Sequence, residues 1–361
     1  MATRRETKPV DCGGVVIGGG APVSIQSMTN ADTRDVPATL RQIDALAEAG
    51  CDIVRCAIPD AEAAEAFGRV KRASRLPLVA DIHFDHRLAL AALRAGADKI
   101  RINPGNIGGA EAVKAVVALA KERRVPIRVG VNAGSLERRL LEKHGGPTGA
   151  ALAESALAQV AALESLEFFD IVVSMKSSDL RVNQEAHLAA AAGTPYPFHI
   201  GVTEAGFGLG GETKSAMGAG ALLLAGIGDT LRVSLTGDPV REVLLASEIL
   251  KAANLRAGCI RLIACPTCGR CRVDLESLAR RVAARASELE KRRPRASSMS
   301  VAVMGCAVNG PGEASHADIG AACGDGRAVI FRRGAIVKTV PEEAVAAELI
   351  EGMEVIWESL I

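Results

Sequence analysis

Three cysteines fall within one short stretch, Cys265-Pro266-Thr267-Cys268-Gly269-Arg270-Cys271, and another follows at Cys306. A C-x-x-C spacing lets two thiolates on one tight turn face the same ion. Pro266 and Gly269 suit that turn, because proline fixes φ and glycine permits bends closed to other residues. Cys306 ends a short apolar run, residues 301–304, that reads as a strand and brings a thiolate from a second element. Soft thiolates select zinc or an iron–sulfur cluster. A zinc ribbon wants a second close pair, and Cys306 and Cys323 lie too far apart for one knuckle. Cys265, Cys268 and Cys271 repeat the opening of a bacterial ferredoxin run without its closing Cys-Pro. Three thiolates plus one labile ligand would make a catalytic cluster with an exchangeable iron. Glu313, on the Gly310-Pro311-Gly312 turn, is the candidate oxygen ligand. The residues favour iron–sulfur and leave zinc open.

The elements that must position these residues come in two patterns. Residues 7–20 read as a small hairpin that closes the bottom of a larger strand–helix array. Strands are expected over 23–28, 51–58, 78–82, 99–103, 127–131, 170–175, 199–203 and 231–235. Helices are expected over 40–49, 61–73, 85–95, 110–122, 180–192, 214–224 and 240–253, with a longer helical region, 136–166, broken at 145–147. The strands are apolar runs rich in Val and Ile, as when both faces are buried. Such alternation implies a parallel sheet. Its size matches a (β/α)8 TIM barrel over residues 1–258, with an open doubly wound sheet as the alternative. Residues 259–361 then read as a small α/β iron–sulfur domain. It has strands at 260–263, 301–304 and 328–331, a helix at 275–290, and a last helix opened by Pro341.

Barrel sites lie at the C-terminal ends of the strands. Those ends carry Gln26, Ser27 and Thr29; Arg55; Asp81 and His83; Arg101 and Asn103; Arg128 and Asn132; Ser174 and Lys176; His199 and Glu204; Arg232 and Ser234. Arg55, Arg101, Arg128, Lys176 and Arg232 converging on one mouth make an anion site, since guanidinium forks match phosphate oxygens. That much positive charge points to a diphosphate or bisphosphate. Individual arginines are as well explained by pairing with Asp81, Glu204 or other acids. Residues 206–211 contain G-x-G-x-x-G after the seventh strand. A phosphate-binding loop at a helix N-terminus suits that place better than a dinucleotide fingerprint, with plain turn glycines as the alternative. His83 and His199 are site candidates. His86 reads as structural, and His144, His187 and His316 as surface or loop residues.

Composition excludes several classes. The net charge of +1 gives no field that would favour nucleic acid or an anionic membrane. Aromatics at 2% argue against the stacking platforms of single-strand binders. No apolar run approaches the ~18 residues of a spanning helix. The first ten residues carry Arg4, Arg5, Glu6 and Lys8 with no apolar stretch behind them, unlike a secretory signal. An odd number of scattered cysteines, 9 in all, fits a reducing compartment and a metal or redox site better than a disulfide framework. A cytoplasmic location follows as the expectation.

Taken in order, these stretches resemble the bacterial 4-hydroxy-3-methylbut-2-enyl diphosphate synthases of the non-mevalonate isoprenoid pathway. The resemblance rests on Gln26-Ser-Met-Thr-Asn30, Asp81-Ile-His-Phe-Asp85, Arg101-Ile-Asn-Pro-Gly-Asn-Ile-Gly108, Arg128-Val-Gly-Val-Asn-Ala-Gly-Ser135 and Ser174-Met-Lys176. It continues through Gly201-Val-Thr-Glu-Ala-Gly206, Gly226-Ile-Gly-Asp-Thr230, Cys265-Pro-Thr-Cys268, Met304-Gly-Cys306 and Gly310-Pro-Gly-Glu313. The large insert of the plant-type enzymes is absent. The resemblance implies a [4Fe–4S] enzyme that reductively opens 2-C-methyl-D-erythritol 2,4-cyclodiphosphate, with flavodoxin or ferredoxin as electron donor. It implies Cys265, Cys268, Cys306 and Glu313 as cluster ligands. Arg55, Arg101, Arg128, Asn132, Lys176, Arg232 and Ser234 would bind the diphosphate, with Glu204 as proton donor. Lys176, His199 and Asn309 would also serve catalysis. It further implies a homodimer in which one subunit's cluster domain closes over the partner's barrel. Cys271 and Cys323 are extra to the pattern. A zinc-stabilised barrel acting on a sugar phosphate, and a non-catalytic cluster-containing regulator, are the competing readings.

Overall fold

A two-stranded antiparallel hairpin opens the chain, β1 (Val10–Cys12) and β2 (Val15–Ile17). The computed structural model describes residues 3–256, 258–292, 297–306, 312, 315–324 and 326–360. They fall into two units, Met1–Leu255 and Arg256–Ile361.

In the first unit strands and helices alternate: β3 (Ser24–Met28), α1 (Val36–Glu48), β4 (Ile53–Ala57), α2 (Ala61–Ala73), β5 (Leu78–Asp81), α3 (His86–Arg94), β6 (Lys99–Ile102), α4 (Ala110–Arg123) and β7 (Ile127–Asn132). The break at 145–147 separates α5 (Arg138–His144) from α6 (Gly149–Glu164). There follow β8 (Ile171–Lys176), α7 (Leu180–Ala191), β9 (His199–Ile200), α8 (Gly208–Leu224), β10 (Thr230–Leu231) and α9 (Pro239–Ala252). Aspartates set many helix starts. Asp35, Asp60, Asp85, Asp179 and Asp238 each accept a backbone N–H of the first turn, a cap that contributes about 1 kcal/mol.

The eight parallel strands pair in the order β8-β7-β6-β5-β4-β3-β10-β9. A parallel bridge between Val173 and Phe198, with Val173 N–H donating to Pro197 O at 2.9 Å, joins the two ends and closes the barrel. The open-sheet alternative is thereby excluded. Val10, Cys12 and Ile17 of the hairpin pack with Ile53, Val79 and Val172, which plugs one end of the barrel, as expected. The main core lies between the strands and the surrounding helices, on the outer face of the barrel.

The barrel interior departs from the expectation of strands apolar on both faces. Residues alternate along a strand, and the face opposite the helix-packed side carries Ser24 and Gln26, Lys99 and Arg101, and Ser174 and Lys176, all buried. The last two barrel strands are also shorter than expected. β9 and β10 have 2 residues each, so Arg232 and Ser234 stand beyond the ladder.

The second unit contains β11 (Ile260–Ala264), α10 (Leu275–Arg292), β12 (Met299–Met304), β13 (Ile319–Gly324), β14 (Arg327–Arg332), β15 (Ala335–Pro341) and α11 (Val345–Ser359). Its sheet runs β11-β12-β13-β14-β15, with the first three strands parallel and the last two antiparallel. Leu278 and Val282 of α10 and Leu349, Met353 and Trp357 of α11 join Val301, Val303 and Ile319 in one core. Sequence reading missed β13 and β15. β13 is built of glycine, alanine and cysteine after its first residue, and β15 is exposed from Ala335 to Thr339, so neither carries the Val/Ile signature of a buried strand. Among the described residues no helix is long and apolar enough to cross a membrane.

Candidate functional site

Adjacent strands place the mouth residues side by side. Register pairs Arg55 with Val79, Asp81 with Arg101, and Arg101 with Arg128, so the polar side chains of β4 to β7 share one rim. Asp81 is the hub. Arg55 Nε lies 3.8 Å from its Oδ2, Arg101 Nη1 donates to its Oδ1 at 3.5 Å, and His83 Nε2 is 3.3 Å from its Oδ2. Burial alone would raise the Asp81 pKa, but Arg55, His83 and Arg101 together hold it below the ordinary carboxylate range. Arg128 Nη1 donates to Gln26 Oε1 at 2.9 Å, while its buried Nε has no partner among the described residues.

Across the mouth, Lys176 lies over Gly201. A Cβ at that glycine would stand 3.2 Å from Lys176 Nζ and 2.2 Å from Arg232 O, and its φ of +154° lies in a region few side chains adopt. Burial and the nearby Arg232, Arg128 and Arg55 push Lys176 well below its ordinary value. Burial, with Arg55 and Arg101, does the same to Arg128. Arg232 is lowered to about 10, by burial first and Arg55 next. Arg232 reaches Glu242 Oε1 and Oε2 at 3.5 Å, and Glu242 also accepts Ser27 Oγ–H at 3.1 Å and Leu235 N–H at 3.0 Å. Asp81 and Glu242 therefore face Arg55, Arg101, Arg128, Lys176 and Arg232. An anion at the mouth would relieve that repulsion.

Sequence reading missed two residues here. Lys99 is fully buried, and its Nζ has no hydrogen-bond partner among the described residues. Its period-2 spacing to Arg101 was the available signal. Glu242 sits in a helix that reads as amphipathic, and nothing local marks its carboxylate as inward.

The remaining candidates divide. His199 is fully buried with both ring nitrogens unpartnered among the described residues, and burial with Arg128 and Lys176 keeps it neutral by lowering its pKa. Asn103 is buried, and its Oδ1 accepts the Gly105 N–H of its own loop at 3.0 Å. Asn132 and Ser234 are half-buried. Glu204 is exposed at a left-handed φ of 51°. The glycine stretch 206–211 is largely helix: α8 begins at Gly208, with Phe207 as its N-cap and no side-chain cap hydrogen bond. His187, expected at the surface, is instead fully buried on α7, with Nδ1 2.7 Å from Asn183 O and its ring edge-on to Phe198.

In the second unit Cys265 directly follows β11 and Cys306 lies just past the parallel β12. Ala264 pairs with Val303, which sets the two thiol-bearing ends side by side. Gly305 N–H donates to Cys265 Sγ at 3.2 Å. A Cβ on Gly305 would stand 2.5 Å from Cys271 Sγ, so Cys265 and Cys271 both approach this glycine. Cys268 is exposed, and the Arg270 backbone and guanidinium beside it lower its pKa. Cys323 is buried, and burial pushes its pKa up to about 11. None of the nine cysteines is paired in a disulfide. Among the described residues no three His, Cys, Asp or Glu side chains are gathered closely enough to hold a metal ion. Asn309 and Glu313 lie outside the described residues. The donor set still suits a cluster: soft thiols on two adjoining strand ends, with a backbone amide already donating to one sulfur.

A (β/α)8 barrel with a cation-rich mouth, followed by a mixed α/β unit with thiols at two adjoining strand ends, defines a two-unit barrel protein. The family model described as GcpE TIM-barrel domain matches residues 7–247, and that described as GcpE protein C-terminal domain matches 261–355. The chain belongs to the GcpE family. A relative from Geobacter sulfurreducens named 4-hydroxy-3-methylbut-2-en-1-yl diphosphate synthase (flavodoxin) is 54% identical over 351 residues, covering 97% of this chain and 98% of its own. A relative of the same name from Clostridium perfringens is 54% identical over 353 residues, covering 98% and 99%. Among solved structures, the Yersinia pestis dihydropteroate synthase aligns with a TM-score of 0.50 at 11% identity, over 68% of this chain and 97% of that one. That likeness shows the barrel fold alone.

Proposed function

We infer that this chain catalyses the reaction for which its relatives are named, forming 4-hydroxy-3-methylbut-2-enyl diphosphate in isoprenoid precursor biosynthesis. The substrate is 2-C-methyl-D-erythritol 2,4-cyclodiphosphate. Two electrons and protons enter, the cyclic diphosphate opens at a carbon–oxygen bond, and a hydroxyl leaves as water. The observation that carries the reading is the excess of buried cations at the barrel mouth, where Asp81 and Glu242 face five basic side chains.

Arg55, Arg101, Arg128, Lys176 and Arg232 bind the diphosphate oxygens, with Asn132 and Ser234 adding neutral hydrogen bonds. Asp81 and Glu242 hold Arg101 and Arg232 in place before substrate arrives. His199, buried and neutral, offers one N–H and one lone pair within the barrel, and Glu204 supplies a proton to the departing hydroxyl. Cys265, Cys268 and Cys306, with Glu313, would hold a [4Fe–4S] cluster that supplies electrons singly from a reduced flavodoxin or ferredoxin. Asn309 belongs to the same proposed catalytic set. The reading takes the protein as a cytoplasmic homodimer of a barrel domain, 1–258, and a cluster domain, 259–361.

Anaerobic reconstitution with iron and sulfide, followed by incubation with the cyclodiphosphate and a low-potential reductant, tests the whole reading. Brown protein absorbing near ~400 nm that releases the linear allylic diphosphate supports it. Colourless protein with stoichiometric zinc and no product overturns it.

A further inference from the structure

Asp229 stands just before β10 and closes a two-way clasp on Phe198, the residue before β9. Its Oδ2 accepts the Phe198 N–H at 2.8 Å, and its own N–H donates to Phe198 O at 2.9 Å. The same clasp joins Asp52 to Ile25, Asp98 to Leu78 and, in the second unit, Asp318 to Ser300. In each case the aspartate lies at the start of one parallel strand and its partner near the start of the neighbouring one. The other three strand pairs share three or four residue pairs each, but β9 and β10 share only two, Thr230 with His199 and Leu231 with Ile200. Resting on the reaction assigned above, we propose that Asp229 is a positioning residue: it fixes β9 against β10 and so holds Arg232 beside Gly201 and Lys176 for the diphosphate.

So short a ladder needs its register set from outside. A one-residue slip would turn His199 outward and bring Ile200 into the polar interior. On the mouth side of the clasp, Arg232 N–H donates to Ile200 O at 3.0 Å. A Cβ on Gly201 would stand 2.2 Å from Arg232 O and 3.2 Å from Lys176 Nζ, so the Arg232 backbone packs directly on the end of β9. On the far side, Arg4 Nη2 and Thr7 Oγ1 donate to the other carboxylate oxygen, Oδ1, at 3.2 and 3.3 Å. Arg5 lies 4.1 Å over the Phe198 ring and holds the partner from behind. Asp229 O accepts the Ser24 N–H at 3.2 Å, which ties the same residue to β3. The carboxylate is buried, so these bonds form away from competing water. Gly228, at φ +129°, lets the chain pass close to β9: a Cβ there would stand 2.7 Å from Ile200 Cδ1. The stretch Gly226-Ile-Gly-Asp-Thr230 thus serves the mouth without reaching it.

The test compares the reconstituted full-length parent with Asp229→Ala, Asp229→Asn and Asp98→Ala. Asp98 makes the same clasp and pairs with Lys71 at 2.8 Å, as Asp229 does with Arg4, but its strands share three residue pairs. Both alanine variants should melt below the parent, because each leaves a strand N–H without its acceptor. Only Asp229→Ala should raise the KM for the cyclodiphosphate, by about tenfold, with kcat within about twofold of the parent. Asp229→Asn keeps a carbonyl oxygen for the Phe198 N–H and should return KM close to the parental value. Amide hydrogen exchange at Arg232 should quicken in Asp229→Ala and stay parental in Asp98→Ala. Gly228→Ala keeps the carboxylate but crowds Ile200; it should reproduce the KM rise, and it decides the matter if Asp229→Ala does not fold. A parental KM in Asp229→Ala, or an equal rise in Asp98→Ala, overturns the positioning role. Absence of turnover in the parent counts against the assigned reaction instead; parental exchange at the Arg232 amide in Asp229→Ala would then still overturn the clasp.

Discussion

Arg101 passes directly over the backbone of Gly130: a Cβ at that glycine would stand 2.6 Å from Arg101 Nε and 3.1 Å from Nη2. The glycine clears a path for the guanidinium to reach Asp81 and His83. Gly130→Ala should therefore displace Arg101 while every substrate-binding residue keeps its identity. The expected result is a rise of about tenfold in the KM for the cyclodiphosphate, with a stability loss of ~1–3 kcal/mol from local overpacking. Paired kinetics and thermal melts check this. A parental KM would show that Arg101 has no part in anion binding.

Lys99 gives a pH signature. Its pKa is lowered from 10.5 to about 8, by burial first, with Cys12 opposing and Arg128 and Arg55 adding to the shift. Between about 8 and 10.5 the unfolded chain holds a proton that the folded chain has released, so this residue makes stability rise with pH across that window. Below about 8 the full cost of the buried charge is present. Lys99→Met should remove the rise and add stability at neutral pH on the order of 3 kcal/mol. Denaturant titrations of parent and variant at a series of pH values give the difference curve. A flat difference would mean that Lys99 keeps its ordinary pKa in the folded state.

Much of this architecture was legible because alternating elements and capping aspartates are local signals. The barrel, its floor hairpin and the interruption at 145–147 follow from them. What escaped depended on partners distant in sequence. His187 reads as an ordinary polar helix residue until Phe198 packs against it. Glu242 acquires its role only where Ser27 and Arg232 meet it. The residues of β13 are small because neighbouring elements crowd them: a Cβ on Gly320 would stand 2.3 Å from the Phe331 ring. No residue-by-residue propensity carries that information.

The thiols around Gly305 give the second-unit prediction. Cys306→Ser should abolish cluster assembly, and Cys271→Ser should largely spare it, because Cys271 already donates to Val273 O at 3.3 Å beside its own turn. Iron and sulfide content after anaerobic reconstitution decides between them. Iron lost from Cys271→Ser and kept in Cys306→Ser would exchange their roles.

Glu204 stands on the loop after β9 at φ 51°, a backbone conformation costly for a residue with a Cβ. Glycine would adopt it more readily, yet a carboxylate occupies it and is exposed. Arg124, Glu167, Asn254 and Arg333 share this conformation; what sets Glu204 apart is its place after β9 at the C-terminal side of the barrel, where a proton donor for the departing hydroxyl is the need the proposed reaction supplies. Glu204→Gln preserves shape and backbone but removes the exchangeable proton. It should bind the cyclodiphosphate with near-parental affinity, retain cluster absorbance, and lose about 10²-fold or more in kcat. Glu204→Gly should melt at a temperature equal to or above the parent's, since it relieves the left-handed strain, while losing the same activity. Calorimetry and single-turnover kinetics on the two variants separate strain from chemistry. Near-parental kcat in Glu204→Gln would reduce Glu204 to a structural carboxylate and leave the proton to another group.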